Sequence, residues 1–442
     1  MITNDEIKTQ SQKRDFLDEI DDKSKRIFDR IYLFLAYWTI LTPIGSSLFY
    51  LCGSKIELLM QGILIGVLFA IVAVFQLMFN ITKFRFKKPN LFQIVASVLI
   101  SSLVLSMLVA GIFGFATFLQ YFSFAMIFLL FVKIDKKHYK SLAFTFIIEM
   151  TIDVVFGIID IDRKWFPGFQ DAEFAFSLQF LNSNYAAYTI VGVVVLCLYY
   201  FLKSNVKWER IVSAVSFIVL NVFLFLNGSF VAETALFIAE IVLIIYTWIK
   251  TKRFPMWLVI AFAVTFATSF IRLDGYSTSN EVYVVEAIAV IDNKLGTHIL
   301  EFLTGGTIVT VAGADGWTRD GLISEALAIC TENAKSIFFG HGIGYAEYYL
   351  RVHNLFIWMW LDFGILFTVA FYALAISLIV MYAKRCNKEK NKFLLVLLGV
   401  YLFMYNFGVI DFSFLFFMIY YGAFYRQTKD SELTKNINKN LD

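Results

Sequence analysis

Proline, charge and cysteine are all scarce in this chain. Only 4 prolines occur in 442 residues, against 50 phenylalanines. That balance excludes a loop-rich protein and favours long uninterrupted helices. Charged residues make up 17% of the sequence, hydrophobic residues 59% and aromatic residues 18%. Ordinary soluble proteins hold roughly 45–50% apolar residues, so this composition, with a mean hydropathy of +0.70, is that of a membrane protein. The four cysteines, Cys52, Cys197, Cys330 and Cys386, show no metal-ligand spacing. The first 30 residues are polar and charged and hold no short apolar core followed by a small-residue cleavage site. No removable leader is therefore expected, and the first span must direct insertion.

What the chain does have is apolar runs of about 17–25 residues, the length that crosses roughly 30 Å of hydrocarbon. They lie near 31–52, 57–80, 91–110, 113–132, 141–158, 179–202, 209–226, 232–249, 255–271, 355–383 and 393–425. The last is too long for one span, and the polar break YNFGVIDF at 405–412 divides it, giving about twelve. A helical bundle is favoured over a barrel, whose strands would alternate every second residue. The expected fold is an all-α polytopic membrane bundle. With the N-terminus taken as cytoplasmic, 30 of the 38 Lys and Arg residues fall on the inner side, which the positive-inside rule requires. The expected division is a cytoplasmic N-terminal segment (1–30), nine spans (31–271), a large outer loop (272–354), three spans (355–425) and a cytoplasmic tail (426–442). Only Cys52 and Cys330 then lie outside, and nothing in the sequence supports a disulfide between them.

An outer loop this long inside a compact protein is usually functional. Within it, residues 280–303 and 319–339 carry apolar residues at three- and four-residue spacing and are expected to form amphipathic helices, joined by a Gly-rich connection. The loop holds ten carboxylates and only five basic residues. An anion would therefore be held by individually placed arginines, whose planar donors suit phosphate oxygens. Arg319, Arg351 and Arg272 are such candidates, and Arg163 in DIDRKWFPGF is another; each is equally suited to anchor a helix end at the interface. His353 stands at the lip of a span, where a neutral imidazole can abstract a proton near physiological pH. His341, in GHGIG, reads as a loop residue. Glu149, Asp153, Glu233, Glu240, Asp362 and Asp411 fall within or beside spans and are expected to face the bundle interior or a wet cavity.

The order Arg319, an amphipathic helix, FFGHGIG, then His353-Asn354, Asp362 nine residues after the His and Gly364 two further on resembles the O-antigen polymerase and O-antigen ligase superfamily. FLNSNYAAYTIVG at 180–192 is similar to that family's Asn-x-Asn-x-x-Ala segment. The likeness covers most of residues 180–380. Two positions depart from it: Asp362 stands where the family commonly has Glu, and Ser229-Phe230 stands where a Ser-Arg pair is usual. If that arginine grips the substrate diphosphate, Arg272, Arg163 or Arg351 must replace it. The resemblance implies a bundle of the GT-C-like glycosyltransferase class in the inner membrane of a bacterium, with its site facing the periplasm. It implies undecaprenyl-diphosphate-linked oligosaccharides as substrates and, as a partner, a chain-length-regulating polysaccharide co-polymerase. It implies His353 as the group that orients or deprotonates the acceptor hydroxyl, Arg319 on the diphosphate, and Asn354 and Asp362 fixing the His and the span end. No metal, no cofactor and no nucleic-acid partner is expected.

A ligase of the same superfamily, which transfers the glycan to lipid A-core, differs only in acceptor. A twelve-span secondary transporter is the rival of another class. It predicts two similar halves with broken helices at corresponding positions, and no such internal repeat is visible in the sequence.

Overall fold

The structure is a computed structural model that describes residues 24–51, 58–80, 91–159, 183–227, 229–269, 271–273, 282–284, 319–350, 352, 354–385, 395–406 and 414–439. In chain order the helices are α1 (Ser24–Ile40), α2 (Thr42–Leu51), α3 (Leu58–Asn80), α4 (Leu91–Ala110), α5 (Phe115–Lys133) and α6 (Tyr139–Ile159). There follow α7 (Ser183–Lys203), α8 (Lys207–Asn227), α9 (Phe230–Thr251) and α10 (Met256–Thr268). A two-stranded antiparallel ribbon, β1 (Ile271–Leu273) with β2 (Val282–Val284), comes next. The chain then forms α11 (Arg319–Cys330), α12 (Ala334–Phe339), α13 (Tyr345–Tyr349), α14 (Leu355–Arg385), α15 (Leu395–Asn406) and α16 (Phe414–Lys439).

The architecture is a helical membrane bundle. Among the described residues, eight helices are long and apolar enough to cross a membrane, and nine if the α1–α2 pair, bent by 66°, is one span. Every expected apolar run carries a helix, and the run 393–425 is two helices. Yet α10 has 13 residues and α15 has 12, which at 1.5 Å per residue reach only about 20 Å. The α1–α2 bend falls beside Pro43, which lacks an amide and is tolerated in a first helical turn. The α2 amide of Ile44 is taken instead by Glu149 Oε1 on α6, at 2.9 Å. Ser47 Oγ on α2 likewise donates to Asp153 Oδ1, at 3.0 Å.

Burial is uneven across the bundle. In α7 72% of the apolar window is buried, against 17% in α4, so α7 is central and α4 faces lipid. The span acids behave as expected: Glu149, Asp153, Glu233, Glu240 and Asp362 are all 2% exposed or less. Asp411 lies outside the described residues. The alternation of helices gathers the basic turns after α5, α7 and α9 at one end, and places residues 110–115 and 319–350 at the other.

Three expectations are corrected. Val282–Val284, inside the expected 280–303 helix, is a strand; its Val-Tyr-Val sequence suits a pleated surface, and it pairs with Ile271–Leu273. The ninth apolar run ends as a helix at Thr268, so Arg272 sits in the ribbon, opposite Tyr283, and not at a span end. The expected 319–339 helix is two, because Asn333 accepts from Ser336 N at 3.0 Å and starts α12 afresh. Cys330, at the end of α11, is a buried free thiol. Helix α16 runs on to Lys439.

Candidate functional site

The glycine segment between α12 and α13 is built into a break in α14. Although α14 spans 31 residues, Gly364 within it has φ 80° and ψ 171°, which only glycine adopts readily. The break exposes the carbonyls of Leu361 and Asp362, which a continuous helix would pair with the amides of Ile365 and Leu366. The loop supplies the missing donors: His341 N bonds Leu361 O at 2.7 Å and Gly342 N bonds Asp362 O at 3.2 Å. Gly340, also at positive φ (72°), lies against the same turn, where an added Cβ would stand 2.7 Å from Gly364 N.

Asp362 completes the junction. Its Oδ1 accepts from Ala346 N at 2.8 Å, and its Oδ2 accepts from Gly344 N and Tyr121 OH, each at 3.1 Å. Tyr121 OH in turn accepts from Trp358 Nε1 at 2.8 Å. From α4, Ser106 Oγ donates to Phe339 O at 2.6 Å. On its other side the loop clasps the turn between α4 and α5: Phe113 N and Gly114 N both bond Ile343 O, and Ile343 N bonds Gly111 O. The junction thus binds α4, α5, α12 and α14 together by pairing backbone groups that would be costly to leave unpaired in a low-dielectric setting.

Above this junction is a column of rings. His341 stacks on Tyr345 at 4.7 Å and Tyr345 on Tyr349 at 4.7 Å, with Phe113 edge-on to both tyrosines. His341 Nε2 lies 3.1 Å from Ile329 O. A carbonyl can only accept, so in the neutral ring Nε2 carries the proton and Nδ1 is the acceptor. Burial raises the Tyr345 phenol above its ordinary value, and Tyr349 and the carboxylates of Glu332 and Glu325 add to the effect.

Below the junction lies an apolar groove of about 420 Å³, between α4, α5, α14 and α16, with Ile343 of the glycine loop and Tyr121 at its upper end and Phe92 and Leu378 toward the other. Its α4 lining runs from Phe92 to Leu103, about 17 Å at the helical rise.

The expected site residues are distributed as follows. Arg319 is the first residue of α11 and Arg272 lies in β1. His353, Arg351 and Arg163 lie outside the described residues. Asn354 opens α14: its Oδ1 accepts from Ile357 N at 3.0 Å and its Nδ2 donates to Asn406 O at 3.1 Å. Its amide therefore caps one helix and fastens another. Asp362 secures the glycine loop through Gly344 and Ala346. Sequence reasoning missed Ser106 and Tyr121, which carry no local signal, and gave His341 no role. The short GIFG turn at 111–114, flanked by apolar runs, was the one local sign of where the loop docks. Among the described residues, no three His, Cys, Asp or Glu side chains are grouped as metal ligands. Compared with models of known protein families and with curated proteins, the chain matches none.

Proposed function

We propose that this multi-pass membrane protein is a bacterial polysaccharide polymerase of the O-antigen or capsule kind. It would have twelve spans in a GT-C-like bundle and would join undecaprenyl-diphosphate-linked repeat units at the outer face of the cytoplasmic membrane. One observation carries the reading. Two parts of the motif that resembles that superfamily, the Gly-x-Gly-x-Gly segment and the Asp-x-Gly element, interlock at one end of an apolar groove between the helices. A substrate with its lipid in the bilayer and its sugar outside would meet the chain at such a point.

In this reading an acceptor hydroxyl oxygen attacks the donor's anomeric carbon. The carbon–oxygen bond to the diphosphate breaks, and the lipid diphosphate leaves with the bonding electrons. The hydroxyl proton passes to His353. Arg319, with Arg272, Arg351 or Arg163, stabilises the charge on the leaving diphosphate. Interlocking of the glycine loop by Asp362 holds the segment leading into residues 351–354 in register with α14.

The test is elongation by purified protein of synthetic undecaprenyl diphosphate-linked repeats, with chelator present, comparing wild type with His353→Ala. A ladder of longer lipid-linked glycans that disappears in the variant is the expected result. A conjugate formed only when lipid A-core is added identifies a ligase, and equal ladders in both proteins remove His353 from the site.

A second reading, a secondary transporter, is favoured by the broken α1–α2 span and the Glu149 and Asp153 carboxyls that bond its second half. Proton-coupled solute uptake into proteoliposomes, abolished in Glu149→Gln, would support it in place of the polymerase.

A further inference from the structure

We propose that the His341–Tyr345–Tyr349 ring column, edged by Phe113, is a saccharide-binding shelf for a neutral oligosaccharide: Tyr349 takes the apolar face of one pyranose, and the Glu325 and Glu332 carboxyls and His341 Nδ1 accept from hydroxyls of the sugars that follow it along the column. The column is near-parallel, with interplanar angles of 28° and 26°. Its terminal ring, Tyr349, is 62% exposed, and Phe113, which buttresses it at 5.6 Å, is 50% exposed. Large rings held in a fixed stack at low conformational cost offer a flat apolar surface with a polar edge. A pyranose matches it, because its axial hydrogens make one face apolar while its hydroxyls point outward around the rim.

The acceptors around the column are in place. The bond from His341 Nε2 to Ile329 O fixes the tautomer and leaves Nδ1 as the acceptor. Glu325 Oε2 is buried and has no hydrogen-bond partner among the described residues, a costly state that an incoming hydroxyl would relieve. Glu325 and Glu332 are both near enough to act electrostatically on Tyr345.

The described charge also disfavours the commoner use of exposed aromatics, anchorage among lipid headgroups. Interfacial aromatic belts cooperate with Lys and Arg, and anionic headgroups attract basic side chains. Among the described residues, the charged groups that act on Tyr345 are carboxylates, which repel such headgroups. They suit a neutral partner rich in hydroxyl donors.

The inference deepens the polymerase reading, since the bound saccharide would be the acceptor glycan, yet it can be tested apart from it. The full chain in nanodiscs would be titrated with neutral oligosaccharides of hexose, N-acetylhexosamine and 6-deoxyhexose, with binding read by saturation-transfer NMR. Tyr349→Ala should weaken binding at least tenfold. Tyr349→Phe, which keeps the ring, and Tyr348→Ala, outside the column, should bind as wild type does, and thermal midpoints would confirm that all are folded. Absence of saccharide binding by wild type, or equal binding by Tyr349→Ala, overturns the proposal. So does a Tyr349 response that depends on anionic lipid content alone. If lipid-linked repeats are elongated equally well by Tyr349→Ala, the shelf fails and the polymerase stands. If Tyr349-dependent binding persists but no elongation occurs, the polymerase reading fails and the shelf stands.

Discussion

Replacing Asp362 by Ala tests whether one carboxyl holds the glycine loop on the broken span. The substitution strands the amides of Gly344 and Ala346 and the hydroxyl of Tyr121. Tyr121 can rotate toward another acceptor, but the two backbone amides cannot. A buried donor left unpaired costs about 1–3 kcal/mol, so opening of the loop should become easier by about 2–6 kcal/mol, or at least roughly 30-fold at the low end. Asp362→Asn keeps one oxygen and one of the two amide bonds, so its effect should be about half. The assay is hydrogen exchange of peptides covering residues 340–350 in the detergent-solubilised protein, with residues 186–198 of buried α7 as an internal reference. If Asp362→Ala changes exchange at Gly344 and Ala346 less than tenfold while α7 is unaltered, the carboxyl does not hold the loop and the account of the junction is wrong.

Other expectations concern the same region and its surroundings. Gly364→Ala would drive a methyl group into Phe338 O, so it should lower the thermal midpoint more than Asp362→Asn does, with loss of monodispersity on size exclusion. Ala375→Phe, which fills the groove lined by Ala375, should slow glycan elongation at least several-fold without changing the fold; an unchanged rate would separate the groove from the substrate. Burial pushes the Cys330 thiol up to about 12 from 9.0, so with Cys52 and Cys386 replaced by Ala the folded chain should resist maleimide at pH 8 and react only on unfolding. The same group keeps its proton in the folded chain between pH 9 and 12 while the unfolded chain loses it. Its contribution to stability is therefore full below pH 9 and declines as pH rises toward 12.

Much of the bundle was legible because its information is local. Apolar runs bounded by basic residues, such as those that became α4 and α5, declare their length. The division of the 393–425 run at Asn406 was marked by its own polar residues. The ribbon was not legible, because Val-Tyr-Val lies in a stretch whose spacing also suits an amphipathic helix, and pairing with Ile271–Leu273 decided between them. The candidate site was legible only in part. GHGIG and Asp362-Phe-Gly364 could each be singled out, but nothing local says that they meet. The partner Tyr121 lies 241 residues from Asp362 in sequence, and such a contact leaves no periodicity to read. Asn354 and Asp362 were expected to support His353. What the structure adds is that each has its hydrogen-bonding groups committed to backbone, at Ile357 and Asn406 for one and at Gly344 and Ala346 for the other.

The break in α14 has a consequence for the order in which the chain can be assembled during synthesis. Unpaired carbonyls at Leu361 and Asp362 would be costly in hydrocarbon, and each finds its donor in a segment that leaves the ribosome earlier. Ser106 and Tyr121 arrive first, on α4 and α5, then the loop from Gly340 to Ala346, and only then the span that needs them. When α14 enters the membrane its acceptors meet donors already made. A nascent chain that stops short of residue 362 has the reverse problem, a glycine loop with amides and no span to receive them, and so would present quality-control proteases with an unpinned segment at the membrane surface.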